Sequence, residues 1–256
     1  MKFRLVGLVA LCCAFGLIAS FSGSDKGQTQ TNKSSAKDSL SSDERDLLNE
    51  INQARAHPQV YAGYLEKLKP FFDGKTYKPP GGQDAFKTEE GWAAVEDAIK
   101  FLRATKPLPP LSMSPGLCSA AMTHVKDQSG TGTTGHQGGD NTFIEQRVKP
   151  FGTWLGGIGE NLTYGNQSAR ERLLTWLIDD GFASRGHRRR LMSPEYKVAG
   201  VCCGPHPQYQ TMCAITLAGG FVDLQSAKAT ASPQTNTSTS NNKSKTPVKK
   251  STRAHP

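Results

Sequence analysis

The chain has 256 residues and a formal net charge of +9, from 31 lysines and arginines against 22 aspartates and glutamates. The charge is uneven, because residues 40–222 hold 20 basic and 19 acidic side chains, whereas residues 223–256 hold six basic and one acidic. A fold that binds nucleic acid clusters its basic residues on one face, so we exclude a nucleic-acid partner for this nearly neutral central region. The basic tail favours adhesion to an anionic cell-surface polymer.

The N-terminus has the pattern of a secretory signal. Lys2 and Arg4 precede a mostly apolar run over residues 5–21, and small polar residues follow at 22–24. This order of charged, apolar and small residues predicts a signal peptide over residues 1–22 and a secreted protein. An uncleaved membrane anchor is the alternative, since the run is at the short limit for a spanning helix.

Two further segments lack the apolar residues that a core needs. Residues 23–40 and 223–256 are rich in Ser, Thr, Asn, Gln and Lys. Such segments bury too little surface to offset the entropy lost on ordering. We therefore predict a disordered linker, one folded domain over residues 41–222 and a disordered basic tail.

Helical patterns occupy most of the folded region. The first helix is predicted to start at caps in residues 41–43 and to end before Pro58, with one apolar face formed by Leu47, Leu48, Ile51 and Ala54. A second helix is predicted around residues 95–102 from apolar spacing at i, i+3, i+4 and i+7. Pro115 opens a third helix, and a fourth covers about residues 169–178.

The end of the folded region has the pattern of a β-hairpin. Segments 196–204 and 209–221 predict two strands joined by a short loop around residues 204–208. Helices followed by a closing hairpin predict an α+β fold rather than a wound parallel sheet.

Four cysteines remain after removal of the signal: Cys118, Cys202, Cys203 and Cys213. In an oxidising compartment four thiols allow three pairings. A bond between the neighbours Cys202 and Cys203 is disfavoured because it strains the backbone. We predict that Cys213 bonds one of these two across the hairpin and that Cys118 is available to the other. Unpaired thiols acting as small buried apolar groups are the alternative.

Three short segments hold the candidate functional residues. His136 lies in GTGTTGHQGGDN, Glu160 in GIGENLTYG, and Asp179, Asp180 and His187 in TWLIDDGFASRGHRRRL. Singly, each has an ordinary structural interpretation: a surface histidine, a capping carboxylate, a helix-ending turn and a solvated basic corner. Together, two imidazoles and several carboxylates are the ligands that suit zinc and related divalent ions.

The order of these segments resembles the CAP superfamily of cysteine-rich secretory, antigen-5 and pathogenesis-related proteins, from about residue 47 to residue 221. The resemblance is carried by LLNEINQARAHP, PLPPLSMSPGLCSAAMTHVKDQ, GENLTYG, RGHRRRLM and VAGVCCG. It is closest to microbial extracellular members, which have LIDDG followed by RGHR. The resemblance implies a three-layer α-β-α sandwich with a central antiparallel sheet. It also implies a cleft of two histidines and two acidic residues, which holds zinc or another divalent ion in some members.

Carried over by position, His136, Glu160 and His187 match three of the four cleft residues. At the fourth, plant and animal members have Trp-x-x-Glu, whereas here Trp176 is followed at that spacing by Asp179. A helical wheel places Asp180 nearer to the apolar side of the predicted helix than Asp179. Both aspartates therefore remain candidates for the fourth cleft position.

The resemblance implies a secreted interaction protein, which we expect to be monomeric. Its ligand is expected to be a lipid or sterol, held near Phe71, Phe72, Phe86 and Trp92, or a cell-surface polymer. Plain core packing is the alternative explanation of these aromatic residues. Membrane contact is expected only through the signal segment.

A second hypothesis is a zinc-dependent, protease-like hydrolase in which Glu160 acts as the general base. A third is that the cleft is a structural remnant and the basic tail anchors the domain to a surface.

Overall fold

The computed structural model of the protein describes residues 40–80 and 84–224. The predicted signal, nearly all of the linker and most of the tail lie outside these residues. The helices are α1 Ser42–Ala56, α2 Pro58–Glu66, α3 Trp92–Ala104, α4 Pro115–Thr131, α5 Ile144–Arg147, α6 Ala169–Ile178 and α7 Gly186–Leu191. The strands are β1 Phe72–Asp73, β2 Thr76–Tyr77, β3 Phe86–Lys87, β4 Ser112–Met113, β5 Gly152–Tyr164, β6 Val198–His206 and β7 Gln210–Asp223.

The central sheet has the strand order β4-β6-β7-β5. Strand β7 is antiparallel to both β5 and β6, and the short β4 pairs with β6 in parallel at one edge. Strand β5 forms the opposite edge. A second, small antiparallel sheet has the order β1-β2-β3.

Helices cover both faces of the central sheet. Alternate residues of β6 and β7 point to opposite sides, so each strand supplies side chains to both helix–sheet interfaces. On one face, Ala199, Val201 and Ile215 pack in a core with apolar residues of α1, α2, α3 and α6. On the other, Cys202 and Ala214 pack against α4. The predicted α+β fold and three-layer sandwich are confirmed.

The predicted helices correspond to α1, α3, α4 and α6. Helix α1 starts with a capping box in which the Ser41 hydroxyl accepts from the backbone N–H of Glu44 and the Glu44 carboxylate accepts from the N–H of Ser41. Pro58 does follow α1, but it also opens α2. This agrees with the preference of proline for the first turn of a helix, where its missing N–H costs nothing.

The hairpin is also confirmed, with its turn at residues 207–209, slightly later than predicted. Cys203 and Cys213 face each other across the hairpin and form a disulfide, so Cys213 bonds one of the two adjacent cysteines as predicted. Cys118 and Cys202 are free thiols among the described residues. Burial raises the pKa of Cys118 to about 11 and that of Cys202 to about 12, so both thiols stay protonated.

The last strand ends at Asp223, one residue beyond the predicted domain boundary. The Asp223 carboxylate accepts hydrogen bonds from the Ser114 hydroxyl and the backbone N–H of Gly116, at the start of α4. Asp223 is therefore part of the fold. Within residues 40–80 and 84–224, no helix has both the length and the apolar character needed to cross a bilayer.

Candidate functional site

The first candidate pair, His136 and Glu160, lies on the α4–α5 face of the central sheet. Glu160 belongs to β5 and is only 3% exposed. Its Oε2 lies 3.0 Å from His136 Nδ1, and Arg147 Nη2 in α5 donates to Oε1 and Oε2 at 2.8 and 2.9 Å. An ionised carboxylate can only accept, so His136 Nδ1 carries the proton. The Nε2 atom is left for solvent or a ligand, on a side chain that is 44% exposed.

The charge of Glu160 follows from its neighbours. Burial by itself would raise the pKa of this carboxyl. The hydrogen bond with His136 and the positive charge of Arg147 outweigh burial, and the pKa lies below its ordinary value. Glu160 is therefore a buried, ionised carboxylate, and a lowered pKa makes it a weak base.

The second candidate pair, Asp179 and His187, lies on the α6–α7 side. Asp179 is 2% exposed, and its Oδ1 lies 2.7 Å from His187 Nδ1. Its Oδ2 accepts from the backbone N–H groups of His187 and Arg188 at 2.8 and 3.3 Å. His187 thus repeats the arrangement of His136, with Nδ1 bound to a buried carboxylate. We name the two groups the His136 pair and the His187 pair.

Asp180 is not part of either pair. Its carboxylate accepts from the backbone N–H groups of Glu89 and Glu90, at 2.7 and 2.9 Å. The helical-wheel argument for Asp180 does not apply, because α6 ends at Ile178 and Asp179 adopts the left-handed conformation with φ 55°. That backbone turn directs the Asp179 carboxylate toward the start of α7.

Consecutive residues of the edge strand connect the two pairs. Glu160 and Asn161 point to opposite faces of β5, as neighbouring residues of a strand do. The Asn161 side chain donates from Nδ2 to the backbone carbonyl of His187 at 3.1 Å. The GENL motif therefore contributes Glu160 to the His136 pair and Asn161 to the backbone of the His187 pair.

Buried polar side chains that the sequence analysis did not identify hold the loop that carries His136. The carbonyl of Gly135 lies 2.9 Å from His124 Nε2 and accepts from Gln128 Nε2 at 2.6 Å. The backbone N–H of Gly135 donates to the Tyr164 hydroxyl at 2.9 Å. Gly135 has φ 98°, which favours glycine. Burial lowers the pKa of His124, which favours the neutral ring. A histidine and a glutamine one turn apart on the apolar side of α4 are the sequence signal for this clamp.

Two of the four arginines around the start of α7 are occupied within the protein. Arg185 pairs with Glu90 and Asp97, and Arg188 pairs with Asp97. These contacts bind the loop before α7 to α3. They do not leave Arg185 and Arg188 available to an anionic partner.

The aromatic residues of the connector pack on one another. Phe72 contacts Tyr77 and Trp92 with ring centroids 4.8 and 5.7 Å apart, and Tyr77 contacts Phe86 at 5.5 Å. Phe72 and Trp92 also pack against the main core. The contacts favour the packing explanation over a lipid-lined groove.

Whether these residues can bind a divalent cation depends on which of their ligand atoms are not already hydrogen-bonded. Among the described residues, no three His, Cys, Asp or Glu side chains are grouped as metal ligands. Glu160 and Asp179 contact Nδ1 atoms instead, as outer carboxylates do when they orient imidazole ligands. The Nε2 atoms of His136 and His187 are therefore the imidazole nitrogens that are left for a cation. The residues do not fit a catalytic zinc centre with three protein ligands.

Residues 48–217 match the CAP family, the cysteine-rich secretory protein family, and the chain belongs to it. No curated protein matches the chain. Solved structures that it resembles include an extracellular SCP-domain protein from Bacillus anthracis (21% identity, TM-score 0.34, covering 48% of this chain and 38% of that one).

A second is an outer surface protein from Borrelia burgdorferi (17% identity, TM-score 0.38, covering 49% of this chain and 88% of that one). A third is a cysteine-rich secretory protein from Staphylococcus aureus (14% identity, TM-score 0.32, covering 61% of this chain and 48% of that one). The matched part of the B. anthracis structure is thus well under half of that chain.

Proposed function

We propose that the protein is a secreted, monomeric CAP-domain binding protein and that His136 and His187 are its ligand-contacting groups. One observation carries this proposal: both imidazoles have Nδ1 bound to a buried carboxylate, at 3.0 and 2.7 Å. A ring held in this way has a defined tautomer and orientation, and it presents Nε2 as an acceptor. The arrangement suits recognition of a cation or a hydrogen-bond donor.

The hydrolase hypothesis has less support from the same geometry. A general base needs a free lone pair near the reacting water and a pKa close to the working pH. Both Glu160 oxygens accept from Arg147, and one also contacts His136. The lowered pKa of Glu160 further weakens it as a base. Asp179 is bonded to His187 and to the start of α7, which suits orientation of the ring.

A divalent cation, with zinc as the first candidate, remains part of the proposal in a narrower form than the sequence indicated. His136 and His187 would be the protein ligands, and Glu160 and Asp179 would orient them. Bound zinc would supply a positive charge and open coordination positions for an oxygen donor of the ligand. The residues of the chain position and orient the rings, and they exclude water from the two carboxylates.

Isothermal titration with zinc tests this assignment. We expect the wild-type chain to bind zinc and the His136→Ala/His187→Ala variant to lose at least about tenfold in affinity. His206→Ala is the matched control, because His206 is buried and bonds the carbonyl of Thr133 instead of a carboxylate. Equal zinc affinity in the wild type and the double variant would contradict the role of the two histidines.

The proposal also includes an extracellular location and a cell-surface polymer as the partner. The predicted signal segment, the Cys203–Cys213 disulfide and membership in a family of secretory proteins support an extracellular location. The near-neutral domain and the basic tail support a cell-surface polymer as the partner of the tail. A lipid or sterol ligand is the weaker candidate, since the connector aromatics are packed on one another.

A further inference from the structure

A cavity lies away from both histidine pairs, where the first turns of α1 and α6 meet the β6–β7 hairpin. Its volume is about 420 Å³, within the roughly 300–1,000 Å³ range of small-molecule sites. The lining residues are hydroxyl, amide, carboxylate and guanidinium side chains with the disulfide on one side: Ser41, Asp43, Asp46, Asn166, Gln167, Ser168, Ala169, Arg172, Cys203, Gly204, Thr211 and Cys213. No residue of the histidine pairs is among them.

The cavity continues as a groove between α1 and α6. A second depression of about 330 Å³ shares Asp46, Ser168 and Ala169 with the first. Its other lining residues are Asn49, Glu50, Gln53 and Arg170. We call the cavity and the groove together the α1–α6 groove. Their volumes exceed what a single ion requires.

Arg172 is the residue in this wall whose hydrogen bonding is incomplete. It is 5% exposed, and Nη2 donates to the Gly165 carbonyl and the Thr211 hydroxyl at 2.7 and 2.6 Å. Nη1 is buried and has no partner. Burial lowers the pKa of Arg172 to about 10. A buried guanidinium bonded only to neutral acceptors is costly, and a further acceptor would reduce that cost.

The charges at the groove decide which acceptor suits it. Asp43 and Asp46 are exposed at the cavity, and Arg172 is its one basic lining residue. An inorganic anion would meet these carboxylates as well as the guanidinium. Hydroxyl groups can accept from Arg172 and donate to the aspartates at once. Asn166 adds an exposed side-chain amide that both donates and accepts, whereas the Gln167 amide bonds Thr163 and Thr175.

We propose that the α1–α6 groove is a binding site for an uncharged, hydroxyl-rich oligosaccharide. Arg172 and Thr211 lie at the disulfide end of the site, and Asp43, Asp46 and Asn166 contact ring hydroxyls. This site is independent of the histidine pairs and of any cation that they hold. It gives the domain a means of binding a surface glycan directly.

Saturation-transfer NMR on the intact chain with the tetrasaccharide of N-acetylglucosamine tests the proposal. We expect saturation transfer to the saccharide from the wild type and from Asp84→Ala, a control that removes an exposed aspartate outside the groove. Asp46→Ala and Arg172→Lys should each weaken binding by about tenfold, as loss of a hydrogen bond to a charged group does. Asp43→Ala provides a second exposed test position, should Arg172→Lys prevent folding.

Parallel titrations with inorganic phosphate and with glycine distinguish other occupants. Binding of phosphate or glycine that depends on Arg172, without saccharide binding, would overturn the saccharide assignment. Saccharide binding that is unchanged in Asp46→Ala and Asp43→Ala would overturn the location. The His136→Ala/His187→Ala variant should bind the saccharide normally, so failure of this site and failure of the histidine site are separable.

Discussion

Arg147→Met is expected to lower the free energy of unfolding by about 3–5 kcal/mol, the usual result of removing one partner of a buried ion pair. Arg147 and Glu160 are both almost fully buried and in direct contact. Without the guanidinium, Glu160 keeps a charge in the interior with only the imidazoles of His136 and His124 beside it. Arg147 also donates Nη1 to the carbonyls of His136 and Thr142 at 3.0 and 2.9 Å, so the loop of His136 loses two supports. Urea unfolding followed by circular dichroism measures the change.

Arg103→Met is the matched control for this prediction. Arg103 also pairs with a glutamate, Glu66, but the two side chains are 54% and 44% exposed. Exposed pairs contribute about 0–1 kcal/mol. A combined Arg147→Met/Glu160→Leu variant should recover part of the lost stability, because it removes the uncompensated carboxylate. Equal destabilisation by Arg147→Met and Arg103→Met would show that the buried pair does not organise the site.

Gly200→Ala is expected to destabilise the fold by about 3 kcal/mol, at the upper end of the usual cost of overpacking. A Cβ atom at Gly200 would lie 2.1 Å from both the Cys118 nitrogen and the Leu117 carbonyl carbon. These are backbone atoms of α4 and cannot rotate away, so α4 must move from the sheet. The same helix carries His124 and Gln128, so we also expect the His136 loop to be disturbed. Chemical unfolding and the NMR spectrum of His136 measure the two effects.

Gly63→Ala tests whether the effect comes from close packing or from the loss of a glycine. Gly63 lies in α2, and no atom is within 4 Å of a Cβ built there. Alanine exceeds glycine in helix propensity by about 1 kcal/mol, so Gly63→Ala should stabilise the protein. A neutral Gly200→Ala would contradict the close contact between β6 and α4.

Most of the regular helices could be predicted because their signals are local. Helices α1 and α6 both begin with a serine followed three residues later by a glutamate, and both capping boxes form. The hairpin was equally clear from its two runs of β-branched and small apolar residues. Strand β5 was not predicted, since its sequence GTWLGGIGENLTY contains four glycines. It is a strand because β7 provides a partner along its length, apart from a bulge after Leu155.

The candidate site was only partly predictable, because its organisation depends on long-range contacts. His136, Glu160 and His187 came from the family resemblance, and each has a contact that suits a binding site. The choice between Asp179 and Asp180 depended on where α6 ends, and a helical wheel assumes that the helix continues. Arg147 carries no local signal, and the local signal of His124 does not identify its contact with Glu160. Their importance follows from burial beside Glu160, which only the assembled sheet and helices produce.

The central claim is that buried carboxylates fix the Nδ1–H tautomer of His136 and His187. Long-range ¹H–¹⁵N NMR of the imidazole rings at about pH 8 tests it directly. We predict a protonated Nδ1 and an unprotonated Nε2 in both rings, and reversal or averaging of the pattern for His136 in Glu160→Gln. Nε2–H tautomers, or rapid averaging of both forms in the wild-type protein, would contradict the account.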